Sequence, residues 1–392
     1  SNSEKRRDVK TDQDTNTTRL RVALVGAQPE YLVNLRGQLL RDLVADGHQV
    51  SAVGAEENSE VAAILKSWGV DYAVVPLART SLNPMGDLDS FRAFRNHFRR
   101  LAPDLMLVYT TKSIVWALLG ARSAGVPRRF AMVAGRGYAL VPQQGLRSTA
   151  LRLITKALIA FALRAANGVV FQNDDDLELF RRERLVPARI PVTRVYGSGV
   201  ELDKFPVVPL PSGPITFLLV ARLLQSKGVA EFVAAARLVR AEVPDARFVV
   251  VGPSDPGPNA IPQAQLDEWK REGVVQFAGY SADVRSYLAN CHVFVLPSIG
   301  EGVPRSILEA LASGRPVITA NTAGCRDTVI EGRNGYLVPF GDEQALAQAM
   351  KALAAGDLPL EEAARESRKL AEQRFDARSV STGIRRAMGL IR

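Results

Sequence analysis

The stretch Pro297–Pro339, PSIGEGVPRSILEALASGRPVITANTAGCRDTVIEGRNGYLVP, decides how the second half of this chain is read. Within it, RPVITA and YLVP are short apolar runs of strand length, and the residues between Pro304 and Gly314 have helical spacing with a glycine stop. A proline suits a first helical position because its missing N–H is not needed there and its φ is already helical, so the helix is expected to begin at Pro304. Glu301 then stands before the helix, and Glu309 lies a little over one turn into it. The free N–H groups of that first turn form an anion site. A loop carboxylate, an anion site and a helix carboxylate suit a ligand with hydroxyls at both ends and phosphates between them, the layout of a nucleotide sugar. Two glutamates around a helix start are more often solvated surface residues, so the weight of this reading rests on the rest of the chain.

Working outward, the same alternation appears on both sides. ITFLLVAR, RFVVVG, VVQFAG and HVFVLPS read as strands, separated by the helical patterns VAEFVAAARLVRAEVP, PQAQLDEWKREG and ADVRSYLANC. Toward the N-terminus, RLRVALVGA, HQVSAVG, YAVVPL, DLMLVYT, RRFAMVAG and GVVFQND are strands, and LVNLRGQLLRDLVADG, EVAAILKSWG, FRAFRNHFRRLAP and SIVWALLGARSAGV are helices. Such βα repetition predicts an α/β fold of two Rossmann-like domains facing each other across a cleft, with ligands at the carboxyl ends of the strands. The first domain is placed at 19–200 and the second at 215–375. The Pro- and Gly-rich run around 201–214 is the linker, and a terminal helix at 376–392 returns toward the first domain. Residues 1–18 are polar and poor in hydrophobics, as in a disordered tail.

At 392 residues the chain is long enough for two cores of ordinary size. Two cysteines, Cys291 and Cys325, lack both a disulfide framework and metal-site spacing, which suggests a reducing compartment. No apolar run approaches the ~20 residues of a membrane span, and no signal peptide is expected. The net charge of +9 lies wholly in the first half. Residues 1–199 hold 28 Lys and Arg against 19 Asp and Glu, whereas the remainder holds 22 of each. Such asymmetry suggests a polyanionic partner, nucleic acid or an anionic membrane face, against the simpler reading of solubility. RSTALRLITKALIAFALRAANG is a basic, apolar helix suited either to a membrane interface or to a domain helix with one buried side.

Arg222 and Lys227 follow the first strand of the second domain in VARLLQSKG. A rigid guanidinium and a mobile ammonium there suit a diphosphate and the charge that grows on it as a sugar–phosphate bond breaks. Other motifs carry less. Asp87-Leu88-Asp89 has a metal-binding D-x-D form, but acids ahead of a basic helix are explained by its dipole, and the same holds for Asp174–Asp176, so no metal and no cofactor is expected. Gly26 ends the first strand without the full dinucleotide fingerprint.

ARLLQSKG, FVVVG, VQFAGY and the opening stretch resemble, in order and spacing, the C-terminal half of family 4 of the retaining glycosyltransferases, which have the GT-B fold. RTSLNPMGDLDSFRAFRNHFRRLAPDLMLVYTTKSIVWALLGARSAGV, VAGRGYAL, VVFQNDDDLELF and YGSGVELDKF resemble a narrower branch, which adds N-acetylgalactosamine to undecaprenyl-diphosphate-linked bacillosamine, and its relatives in surface-polysaccharide assembly. The resemblance implies that Arg222 and Lys227 bind the donor diphosphate and Glu309 the ribose hydroxyls. It sets Glu301, Gly302, Val303 and Pro304 around the transferred sugar and phosphates. At Gly26 it implies a close approach of the nucleotide. The first domain would bind the acceptor, a polyprenyl-diphosphate-linked saccharide at the inner face of the cell membrane, with Lys112, Arg136 and Tyr138 as candidates. Partners are then a nucleotide-sugar donor, the lipid-linked acceptor and an anionic membrane surface, and no nucleic acid. Many family 4 enzymes carry a histidine where this chain has Ala134-Gly135-Arg136-Gly137-Tyr138, and His48, His97 and His292 do not fit that place. The branch reads Gly-x-Gly-Tyr there as well. A UDP-linked N-acetylgalactosamine or related sugar is the donor the branch resemblance implies, whereas GDP-mannose is used elsewhere in the family. A GT-B epimerase acting on the nucleotide sugar alone, or a non-catalytic module binding membrane or polyanion, are the alternative classes.

Overall fold

The computed structural model describes residues 19–77, 84–135, 146–257, 259–299 and 301–391. Seven parallel strands form the first sheet: β1 (Arg21–Val25), β2 (Gln49–Gly54), β3 (Val70–Val74), β4 (Leu105–Tyr109), β5 (Arg128–Val133), β6 (Gly168–Phe171) and β7 (Val192–Arg194), in the order β3-β2-β1-β4-β5-β6-β7. Six more form the second: β8 (Thr216–Val220), β9 (Arg247–Val251), β10 (Gln276–Gly279), β11 (Val293–Leu296), β12 (Val317–Ala320) and β13 (Gly335–Val338), in the order β10-β9-β8-β11-β12-β13. This is the pair of Rossmann-like domains expected from the alternation.

The central strands are apolar without alternation because helices cover both faces. In β4 every residue is buried, with Met106 and Val108 on one side of the sheet and Leu105, Leu107 and Tyr109 on the other. In each sheet the strand order reverses once, between β1 and β4 and between β8 and β11. A crevice opens at the carboxyl ends of strands at such a reversal.

The chain crosses between domains twice, and the crossings lie side by side. Val200 N–H donates to the Phe375 carbonyl at 2.7 Å, and Ala377 N–H to the Val200 carbonyl at 3.0 Å. The helix Ala377–Ala387 then packs on the first domain through Val380 and Ile384, joined by Met388. Ser381 Oγ donates to Asp42 of the helix Gly37–Ala45 at 2.5 Å, and Arg385 Nη1 to Asp46, that helix's C-cap, at 2.7 Å.

Four local details differ from the sequence reading. The single helix expected over LVNLRGQLLRDLVADG is two, Pro29–Asn34 and Gly37–Ala45, and the break turns Arg36 into the interior. Pro304 is the N-cap with extended ψ, so the helix proper is Arg305–Ala312. The segment after Gly324, between the runs RPVITA and YLVP, holds a single 3₁₀ turn, Arg326–Thr328. β7, only three residues long, has too little apolar pattern to be read from sequence.

Candidate active site

Topology assembles the C-terminal side of the site. Arg222 follows β8, Lys227 ends the 3₁₀ turn Gln225–Lys227, and Glu301 follows β11, the strand on the other side of the order reversal. Gly228 closes that turn at φ +71°, where any Cβ would strike the Pro297 carbonyl, so only glycine lets the Lys227 loop pass beneath β11. Lys227 Nζ and Glu301 Oε1 form an ion pair, and Ser298 Oγ donates to the same oxygen at 2.6 Å. Burial alone would push the Glu301 carboxyl up, but Lys227, Ser298 and Arg222 together hold it below the usual carboxylate range. Arg222 donates to Asp255 at 2.8 Å. Each of the two cations is thus held by a carboxylate partner.

Four residues past Arg305, Glu309 presents a second carboxylate to the same cleft. Arg305 Nε donates to Glu309 Oε1 at 2.6 Å, and Arg305 Nη1 reaches across to the Asn34 carbonyl of the first domain at 2.7 Å. Burial pushes the Glu309 carboxyl up, with Arg305 opposing it. Between the domains lies a cleft of about 620 Å³, lined on one side by Arg222, Lys227, Glu301 to Pro304 and Glu309, and on the other by Tyr31, Ala134, Gln172 and Ser198. That volume is in the usual range for a small-molecule site. Helix-start N–H groups, two cations and two carboxylates of opposed acidity bring charge stabilisation and hydroxyl recognition together.

On the N-terminal side Gly26 has a steric reason within the protein itself. Gly26 does not line the cleft, and a Cβ there would collide with the Tyr109 hydroxyl and ring, so the glycine is required by a protein side chain. Arg36, only 1 % exposed, lies over the Tyr109 ring at 4.8 Å and donates to Ser198 Oγ at 3.1 Å. Burial lowers its guanidinium to about 10. Arg136 and Tyr138 lie outside the described residues, as does the side chain of Lys112. Asp174, Asp175 and Asp176 open the helix Asp174–Arg182, and the first two pair with Arg194 and Arg326. His292 Nδ1 accepts from the Thr216 N–H at 3.0 Å, at the amino end of β8 and away from the cleft. Sequence reasoning missed Arg305, Asp255 and Asn173. Arg305 had a signal, its spacing of four from Glu309 on one helix face. Asp255 and Asn173 act through loops whose path no periodicity encodes.

Residues 36–196 match the glycosyl transferase 4-like domain, and residues 214–355 match the glycosyl transferases group 1 domain. The chain is 29% identical over 303 residues to the N,N'-diacetylbacillosaminyl-diphospho-undecaprenol alpha-1,3-N-acetylgalactosaminyltransferase of Campylobacter jejuni, covering 74% of this chain and 78% of that one. It is 26% identical over 290 residues to the UDP-Gal:alpha-D-GlcNAc-diphosphoundecaprenol alpha-1,3-galactosyltransferase of Escherichia coli, covering 70% and 73%. Among solved structures, the sucrose-phosphate synthase of Thermosynechococcus elongatus superposes with a TM-score of 0.78 at 20% identity over 94% of this chain and 98% of its own. The Anabaena protein HepE in complex with UDP and glucose does so with 0.74 at 17% identity over 94% and 99%. With one family domain on each side of the cleft and the charged loops of the second sheet facing the first, the chain belongs to the group 1 and 4-like glycosyltransferases of GT-B fold.

Proposed function

We propose that this glycosyltransferase moves N-acetylgalactosamine or a closely related hexose from a UDP-sugar to a saccharide carried on a polyprenyl diphosphate, with retention of anomeric configuration and without a divalent ion. The observation that carries the reading is the convergence of Arg222, Lys227 and the Gly302–Arg305 helix start on one face of the cleft, with Glu301 and Glu309 flanking them. The similarity to two transferases whose named acceptors are diphospho-undecaprenol saccharides, over at least 70% of this chain, supports the acceptor class.

In this reading the diphosphate takes over Lys227 and Arg222 from Glu301 and Asp255, while Glu309 accepts from the ribose. The bond from the sugar's anomeric carbon to the β-phosphate oxygen breaks as the acceptor hydroxyl adds to the same face. The acceptor's proton passes to the departing phosphate oxygen. The cations and helix dipole stabilise the charge that develops on that oxygen, and the closed cleft sets the orientation.

The acceptor's lipid requires access to a membrane. No helix among the described residues is long and apolar enough to cross one. Helix Leu146–Leu163 instead presents an outward stripe of Ala150, Leu153, Ile154, Ala157 and Phe161, with Leu153 and Phe161 each 58% exposed and Arg164 at its end. An apolar stripe on the basic half of the chain suits peripheral attachment to an anionic bilayer, at the inner face of the cell membrane.

The test is turnover of UDP-N-acetylgalactosamine with an undecaprenyl-diphosphate-linked acetamido sugar. A product one N-acetylhexosamine heavier supports the reading. A thermal-shift screen in which GDP stabilises the protein and UDP does not would overturn the donor assignment. Isomerised sugar from donor alone would point to an epimerase.

A further inference from the structure

Asn173 sits at the carboxyl end of β6 and is wholly buried, 0 % exposed. Its Oδ1 accepts the Asp176 N–H at 2.8 Å and so caps the helix Asp174–Arg182 of the first domain. The amide nitrogen of the same side chain donates into the second domain, to the Gly302 carbonyl at 2.7 Å and toward the Glu301 carbonyl at 3.5 Å. One side chain thus joins a helix cap in one domain to the loop before the anion-binding helix of the other.

The surrounding seam has no room for an alternative path. A Cβ on Gly302 would lie 2.5 Å from Gln172 Oε1 and 2.9 Å from the Ala134 carbonyl carbon, and one on Gly324 would strike the Gly302 carbonyl from behind. Two ion-pair links flank the seam: Arg194 of β7 bridges Asp174 and Asp327 at 3.3 and 3.5 Å, and Arg326 reaches Asp175 at 3.3 Å. A trans peptide carries its C=O and N–H on opposite edges, so holding the Gly302 carbonyl also sets the Val303 N–H, two residues before the helix.

We propose that Asn173 is a positioning residue: it orients the Glu301–Val303 peptides and couples that orientation to closure of the two domains. The inference rests on the donor reading above for its catalytic consequence, but not for the closure itself. An open cleft would leave Gly302 unheld, and the diphosphate would meet a loop that still has to be ordered.

Asn173→Ser tests this, because serine keeps the helix cap but cannot reach Gly302. Asn173→Asp is a second variant, with the same length and cap and no amide protons for Gly302 or for Asp176 Oδ2, which the Asn173 amide also reaches at 3.0 Å. The readouts are small-angle scattering of the ligand-free protein, UDP affinity by calorimetry, and kcat with UDP-N-acetylgalactosamine. A folded variant is expected to show a larger radius of gyration, UDP affinity lowered about threefold or more, and a kcat lowered by about tenfold or more. A folded variant with unchanged scattering and a kcat within twofold of wild type overturns the proposal. If the wild type itself fails to bind UDP, the donor reading falls, while scattering still decides whether Asn173 holds the domains closed.

Discussion

Lys227 and Glu301 lie 74 residues apart in sequence and form an ion pair because the turn after β8 and the loop after β11 meet where the strand order of the second sheet reverses. The pair keeps an ammonium ready beside the helix start and holds its carboxylate ionised. Lys227→Ala is expected to lower kcat by about 10²–10³, the usual cost of removing one preorganised charge-stabilising donor. Steady-state kinetics check this, and a loss confined to KM would place Lys227 in ground-state binding alone.

Glu309 separates stability from binding. Its carboxyl is pushed up by burial, so the unfolded chain gives up this proton more readily than the folded one. Its ionisation therefore costs stability, in a window that opens above the ordinary carboxylate pKa and is complete above the raised folded value. Glu309→Gln is expected to raise the melting temperature at pH 7, with the gain vanishing below about pH 4.5, while weakening UDP binding about tenfold. Glu301 has the opposite sign: its folded pKa is lowered, so its contribution is present above the ordinary value and is lost as pH falls through the folded one. Melting temperatures of Glu301→Gln and Glu309→Gln from pH 3 to 8 compare these signs directly.

Gly26 and Tyr109 form a steric pair. Gly26→Ala is expected to cost about 1–3 kcal/mol through overpacking against the phenol. Tyr109→Phe removes the hydroxyl and should return part of that loss, a non-additivity readable in a urea double-mutant cycle. If the cost instead fell on UDP affinity and Tyr109→Phe did not relieve it, the glycine would serve the nucleotide.

The returning C-terminal helix belongs energetically to the first domain. Ile384→Ala removes a fully buried side chain between Val380 and Met388 and should cost about 2–4 kcal/mol in urea unfolding. An effect below about 0.5 kcal/mol, the range of surface substitutions, would mean the helix is not docked in solution.

The outward stripe of the Leu146–Leu163 helix gives a last expectation. Ile154→Asp with Phe161→Asp should reduce sedimentation with anionic liposomes several-fold and leave the melting temperature nearly unchanged, since both side chains are exposed. Binding indifferent to these changes and to anionic lipid would remove the helix from the membrane contact.

Much of this was legible in the residues themselves. Apolar runs of strand length between glycine-stopped helices encode βα repetition, because a strand buried on both faces must be apolar throughout and a helix ends most cheaply at glycine. Arg222, Lys227, Glu301 and Glu309 could be singled out because they sit next to those elements, at strand ends or one turn into a helix. The Tyr109 contact at Gly26 was not legible: a glycine at a strand end reads the same whether a ligand or a tyrosine from a neighbouring strand comes close.

What the sequence by itself determined is therefore the two parallel sheets, their helices and the charged loops of the second half, all properties of local pattern. Tertiary structure alone decided the partners: Lys227 with Glu301, Arg222 with Asp255, Arg305 with Asn34, and Asn173 with Gly302. These contacts depend on strand order and on how one domain closes on the other. Periodicity is blind to both, since a loop's path is set by what it packs against and not by its own residues.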